Sequence, residues 1–128
     1  RELVICQDLA PTLLELAGGK PGPQIQGRSL LPLFAARRTP WRKSILIEYW
    51  AEQALPWLVG MTYKAVRTDR YKYIHWVNRG RTGELDELYD LDRDPFELDN
   101  LNRVRKLAPT RDKLRRELKR LVAEAVGL

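Results

Sequence analysis

The sequence predicts an α+β fold: a small four-stranded antiparallel sheet packed by one C-terminal helix and preceded by a helix-and-loop segment. Three observations carry this expectation. Four short runs, Ser44 to Trp50, Tyr63 to Arg67, Tyr71 to Val77 and Leu88 to Leu91, are rich in the β-branched, aromatic and apolar residues that suit strands. Only Thr68-Asp69-Arg70 separates the second run from the third, so these two read as a hairpin. Leu114, Leu118, Leu121, Val122 and Ala125 then fall on one face of a helix.

In chain order, Leu3 to Cys6 is a short apolar run with the character of a strand end. Asp8 follows where an N-cap would accept backbone N–H groups. Leu9, Leu13, Leu16 and Ala17 form an apolar stripe, Pro11 is tolerated in the first turn and Gly18-Gly19 stops the helix, which is expected over 9–17. Lys20 to Gln26 holds two prolines and a glycine and is loop; Ser29 to Phe34 suits one more helical turn before Thr39-Pro40 breaks the chain again. The organisation expected is therefore a connector-like segment, residues 1–40, and a compact unit, residues 41–128. Within the latter, Asp92-Arg93-Asp94-Pro95 ends the fourth strand as a type I turn. Pro109 fits the first turn of a helix over 110–126, and Leu107 precedes Leu114 by seven residues. That stripe is shorter than three heptads, which favours a helix lying on a sheet face over a coiled-coil seam.

With 128 residues, 44% of them hydrophobic, the chain can bury one core without disulfide staples. The single cysteine, Cys6, can form neither an internal disulfide nor a cysteine zinc site, and it is expected buried and inert. No apolar run exceeds four residues, so no span approaches the roughly 20 needed to cross a bilayer. Arg1 stands where a Met would start a complete reading frame and nothing near it resembles a signal peptide; the expectation is part of a longer or processed chain.

The net charge of +6 invites a nucleic-acid reading, but the charges are segregated. Residues 84–99 carry eight acids against Arg93, a local −7, and residues 103–120 carry nine bases against Asp112 and Glu117, a local +7. The simplest reading is an acidic turn region lying near a basic helix in one fold. The alternative is a stand-alone basic module whose helix grips nucleic acid or sulfated glycan. No aromatic residue is interleaved with the helix bases, as stacking on single strands would require, so nucleic acid is disfavoured.

Motifs of chemistry are incomplete. Asp90, Asp92 and Asp94 alternate like the first ligands of a calcium loop, but Pro95 stands where the loop needs Gly and Leu101 where it needs Glu. His75 is the one histidine and hence the one imidazole base available; alternation places it on the face of Tyr73 and Val77, where a strand histidine is usually structural. There is no G-x-S-x-G, phosphate-cradling loop or H-E-x-x-H.

Four segments in series, DLAPTLLELAG (8–18), QGRSLLPLF (26–34), AVRTDRYKYI (65–74) and ELYDLDRDPFELDNL (87–101), resemble the C-terminal third of the type I sulfatases. The last carries L-Y-D-L-x-x-D-P-x-E-x-x-N-L in Leu88, Tyr89, Asp90, Leu91, Asp94, Pro95, Glu97, Asn100 and Leu101. The EYW and YKYIHW segments are similar to the branch acting on sulfated hexosamines. The resemblance implies a larger α/β enzyme that hydrolyses sulfate esters with a formylglycine, made from Cys or Ser in C-x-P/A-x-R, and a calcium ion held by acidic residues. Cys6-Gln7-Asp8-Leu9-Ala10 does not match that motif, and no catalytic or metal-binding residue transfers onto this chain. The implied partner is a catalytic domain outside the chain, with residues 1–40 its C-terminal edge and residues 41–128 the C-terminal subdomain. A periplasmic or secreted parent fits this family; the residues themselves fix no compartment.

What the resemblance leaves to this chain is structure and specificity. Asp8 is expected to cap its helix, Asp69-Arg70 to turn the hairpin, Asp94-Pro95 to end a strand, and Glu97 and Asn100 to bond backbone groups. Substrate contacts in the intact parent are expected from Trp50, Glu52, Trp57 and His75, because aromatic faces stack on sugar rings and a carboxylate or imidazole bonds a hydroxyl. Residues 51–62 are then either a pocket-shaping loop or a cover over a sheet edge. Leu3, Val4 and Ile5 with the stripe Leu9, Leu13 and Leu16 are expected to form an exposed apolar patch and to drive self-association.

Overall fold

The structure, a computed structural model, describes residues 2–35, 39–50, 61–77 and 85–127. The chain forms two compact units, Arg1–Arg42 and Lys43–Leu128.

The first unit holds a 3-10 turn, Cys6–Asp8, running into α1 (Leu9–Leu16) and, after a loop, the single turn α2 (Leu31–Phe34). Gly18, at φ +80, ends α1 in the left-handed conformation that a side chain disfavours. Gly27 is required for a different reason: a Cβ there would lie 1.9 Å from the Gln7 carbonyl oxygen. The unit is organised around Asp8, which is buried. Its carboxylate accepts the backbone N–H of Ile5 at 2.9 Å and of Arg28 at 2.9 Å, and takes the Arg42 guanidinium in a two-pronged pair whose Nη2 arm is 2.7 Å long. The Thr12 hydroxyl donates to the Asp8 carbonyl and accepts the Leu30 N–H at 2.9 Å, tying the loop to α1. The indole of Trp41 donates to the Leu3 carbonyl at 2.7 Å.

Asp8 is therefore not the cap of α1 that its position suggested. It lies in helical conformation at φ −73, ψ −18 and makes no side-chain bond to the following helix. Its oxygens are occupied by Arg42, Ile5 and Arg28, so it ties three separate segments together instead. Burial pushes the carboxyl's pKa up, but the Arg42 bond and the two backbone N–H groups pull harder and leave it below the ordinary range.

The second unit is an antiparallel meander of β1 (Ser44–Tyr49), β2 (Tyr63–Thr68), β3 (Tyr71–Trp76) and β4 (Glu87–Asp90), in that spatial order, followed by α3 (Ala108–Val126). Strand alternation gives the sheet two faces. On one, Val66, Tyr73 and Leu88 pack under Leu114 and Leu118 of α3, with Leu46, Leu107, Leu121 and Val122 around them. On the other, Ala65, Ile74, Tyr89 and Leu91 form a second cluster with Ile47, Tyr63 and Trp76. Of the expected helix stripe, Leu114, Leu118, Leu121 and Val122 join this core, whereas Ala125 is exposed. Paired in register, Tyr49, Tyr63 and Trp76 make an aromatic ladder, the first two stacked at 5.6 Å and the last two edge-on at 5.4 Å. Among the described residues, no helix is long and apolar enough to cross a membrane.

Candidate functional site

The candidate polar groups lie on the α3 face of the sheet, in rows set by register. Leu46, Val66 and Tyr73 pair across β1, β2 and β3 and form the apolar row beneath the helix. Two residues along each strand, the next row is Glu48, Lys64 and His75, paired Glu48 with Lys64 and Lys64 with His75. Trp50 follows Glu48 by two positions and its ring lies 5.3 Å from the Lys64 ammonium. Lys64 also meets Glu48 at 2.9 Å. Trp50 is 63% exposed.

His75 is tied to a buried network. Its Nδ1 is 2.9 Å from an oxygen of Asp86, whose carboxylate is 2% exposed. The other Asp86 oxygen accepts from the Tyr73 hydroxyl and from Arg115 Nη2 at 3.0 Å, and Arg115 Nε donates to the Tyr73 oxygen at 2.7 Å. Burial raises the Asp86 carboxyl's pKa, yet Tyr73, Arg115 and His75 outweigh it and hold the group ionised below the ordinary range. Burial first, then the bond to Asp86, pushes the Tyr73 hydroxyl up, so it stays protonated. A protonated phenol beside an ionised carboxylate forms a structural clamp between sheet and helix. It leaves His75 roughly one-third exposed at its rim.

Of the four expected contact residues, Trp50 and His75 stand on this one sheet face; Glu52 and Trp57 lie outside the described residues. Lys64 and Glu48 were missed by sequence reading. Their signal is the β1–β2 register, which the long connection between those strands conceals.

Other expectations are corrected. Cys6 is exposed rather than buried, because the 3-10 turn aims Asp8, not Cys6, inward. Glu97 bonds the Lys72 ammonium at 2.6 Å rather than a backbone group, and does so at φ 58. Asn100 does take backbone partners, the N–H of Leu88 at 3.1 Å and of Asn102 at 2.9 Å. The acidic and basic blocks meet in the Asp86–Arg115 pair, whereas Asp90 pairs with Arg70 at 2.7 Å and Glu97 with Lys72, both in the sheet region. Arg111 donates to the Asn102 carbonyl and Arg120 to Glu117 and Glu124. Asp94 accepts the Asp99 N–H at 2.9 Å. With these carboxylates so engaged, no group of three or more His, Cys, Asp or Glu among the described residues could hold a metal ion.

Comparison with known proteins adds a consistent context. A family profile described as N-sulphoglucosamine sulphohydrolase, C-terminal, matches residues 1–124. An N-acetylglucosamine-6-O-sulfatase of Bacteroides thetaiotaomicron is 34% identical over 102 residues, covering 73% of this chain and 16% of that protein. A choline-sulfatase of Rhizobium meliloti is 35% identical over 98 residues, covering 73% of this chain and 17% of that protein. A solved structure in complex with its substrate D-glucosamine-2-N,6-O-disulfate superposes with a TM-score of 0.76 at 29% identity, over 88% of this chain and 22% of that one. The chain thus spans about a sixth to a quarter of the length of these relatives.

Proposed function

Because the chain belongs to the N-sulphoglucosamine sulphohydrolase C-terminal family, and so carries the C-terminal region of a sulfatase, we propose that it packs on a catalytic domain and helps to shape that enzyme's substrate pocket. The observation that carries this reading is the make-up of the first unit. Val4 is 51% exposed, Leu9 56%, Leu13 64% and Leu16 63%, while Asp8 and Thr12 are buried. A helix with its apolar stripe outward requires a cover. Each leucine covered contributes about 1.5–3 kcal/mol, which fits residues 1–40 as the edge of a larger α/β domain.

In the intact enzyme, formylglycine and calcium would supply sulfate-ester cleavage from residues elsewhere. The described residues offer no set fit to hold that metal. What this chain contributes is contact with substrate from Trp50, Glu52, Trp57 and His75, with a sulfated hexosamine the favoured substrate class. A stand-alone basic module is the weaker reading, because Arg111, Arg115 and Arg120 are engaged within the chain.

The chain alone should not hydrolyse nitrocatechol sulfate, with or without calcium. In the intact enzyme, Trp57→Ala should raise KM for a sulfated sugar several-fold and leave kcat on a small aryl sulfate unchanged, the pattern of lost uniform binding. Equal loss on both substrates together with a lower melting temperature would make Trp57 a packing residue and overturn the pocket assignment.

A further inference from the structure

We propose that Arg67, together with Phe96 and Leu98, forms a dock for the catalytic domain, in which a carboxylate of that domain pairs with the Arg67 guanidinium. This rests on the reading that the chain packs on such a domain, and it adds a second contact, in the second unit, with its chemistry.

The starting point is an imbalance of charge. Val66 packs under α3 and Ala65 belongs to the opposite sheet face, so alternation puts Arg67 on the face away from the helix. Register places Lys72 directly across from it. Two cations side by side on an antiparallel pair repel unless each has a counter-ion. Lys72 has one, since its ammonium meets Glu97 at 2.6 Å. Arg67 does not: among the described residues its Nε is buried and has no hydrogen-bond partner. The acids around it are engaged with other groups, Asp90 with Arg70, Asp94 with the Asp99 N–H, and Glu87 with Trp76 and Tyr89. A buried donor left without an acceptor is costly, so its retention calls for an acceptor from outside the chain. A water would satisfy one N–H and leave the charge; a carboxylate takes both, in the two-pronged geometry that a guanidinium favours.

Apolar anchors stand beside this cation. Glu97 reaches Lys72 from a left-handed backbone at φ 58, and its neighbours Phe96 and Leu98 are 81% and 80% exposed. The turn that carries them is fixed: the N–H groups of Arg93 and Asp94 donate to the Asp90 carbonyl, and the Asp94 carboxylate accepts the Asp99 N–H. Two large apolar side chains held rigidly in water next to an unpaired guanidinium have the composition of a protein interface, in which aromatic and Arg anchors carry most of the energy. The occupant follows from size. This chain matches 16% of one relative and 22% of another, so most of such an enzyme lies outside it.

The test compares melting temperatures of the isolated chain and of the intact enzyme for Arg67→Met and Arg67→Lys. In the isolated chain Arg67→Met should leave the melting temperature unchanged or raise it, because an unpaired cation beside Lys72 is removed. In the intact enzyme the same change should lower it by about 3 °C or more, because it strands the partner carboxylate. Arg67→Lys, which keeps the charge, should recover most of that loss. Phe96→Ser should change nothing in the chain and should lower the melting temperature of the enzyme. Equal loss in both proteins would make Arg67 a packing residue; no loss in the enzyme, or equal loss from Met and Lys, would remove the carboxylate. Each of these overturns the proposal. So does self-association of the isolated chain that Phe96→Ser abolishes, since the occupant is then a second copy. Leu13→Lys in the enzyme separates this inference from the reading beneath it. If Leu13→Lys destabilises the enzyme and Arg67→Met does not, the chain still packs on the catalytic domain and only the Arg67 dock falls; if neither does, the reading falls with it.

Discussion

In the first unit the fully buried side chains include Asp8 and Pro11, and leucines at 9, 13 and 16 are turned outward. In the second, Val66, Tyr73, Leu88, Leu114 and Leu118 are inside, and the deep carboxylate that meets α3, Asp86, is clamped by three partners. The two units therefore solve opposite problems. The second buries its own apolar surface, with hydrogen bonds fixing the geometry around a core. The first has hydrogen bonds and an ion pair where a core would be, and presents its apolar surface to something else. Hydrogen bonds exchange for bonds to water and contribute little net free energy, whereas apolar burial drives folding. The first unit should accordingly be the easier to open.

The largest effect expected from that contrast comes from Arg42→Ala. The guanidinium is 11% exposed and its partner Asp8 is fully buried, so removing it strands a buried charge, at a cost of about 3–5 kcal/mol. Native-state hydrogen exchange is the measurement. The amides of Ile5 and Arg28, which donate to Asp8, should lose protection, while those of Ala65 and Ile74 in the sheet keep theirs. Equal loss in both places would mean that the units open together, and the comparison would fail.

How much of this was legible in the sequence divides along the same line. The meander and α3 were readable because strand alternation and the leucine stripe are local patterns that burial enforces; Leu114 and Leu118 fell where spacing put them. Asp8 was misread because capping is a local rule and two of its three partners, Arg28 and Arg42, are 20 and 34 residues away. Lys64 and Glu48 were invisible for the same reason, since a cross-strand pair depends on register and not on spacing along one strand. Cys6 was expected inside on residue type alone, and a single 3-10 turn reversed that. The sulfatase resemblance survived because it rested on motif order, which is independent of these contacts.

A middle-sized effect tests the outward face of α1. With no catalytic domain present, copies of the chain should cover each other's Leu9, Leu13 and Leu16, giving concentration-dependent association in sedimentation velocity at tens of micromolar. Leu13→Lys, which places a charge at the most exposed of these leucines, should weaken association about tenfold or more, the equivalent of at least 1.4 kcal/mol. A chain that stays monomeric at high micromolar concentration would show that the first unit tolerates its exposed stripe, and the inference that it seeks a partner would fall.

The smallest effect sharpens the account of the second unit. Glu117 on α3 is pulled from the ordinary 4.5 to about 2, first by its bond to Arg120 and then by the Ser44 hydroxyl of β1. A carboxylate lowered by folding contributes stability that is complete above its unfolded value and disappears as pH falls through the folded one. The loss from Glu117 should therefore run from about pH 4.5 down to about pH 2, where the unfolded chain binds the proton that the folded chain refuses. Arg120 is half exposed, so solvent screening leaves the pair worth less than about 1 kcal/mol at neutral pH. Glu117→Gln should lower the urea midpoint slightly at pH 7 and should flatten the decline between pH 5 and pH 3. Asp86, Asp90 and Asp94 shift in the same direction, and the first two are far better buried, so these carboxylates supply the rest of the acid limb. If the variant and the parent chain lose stability in parallel over that window, the acid response of the sheet and helix belongs to Asp86, Asp90 and Asp94, and the Ser44–Glu117 contact is a surface bond with no part in holding α3 to β1.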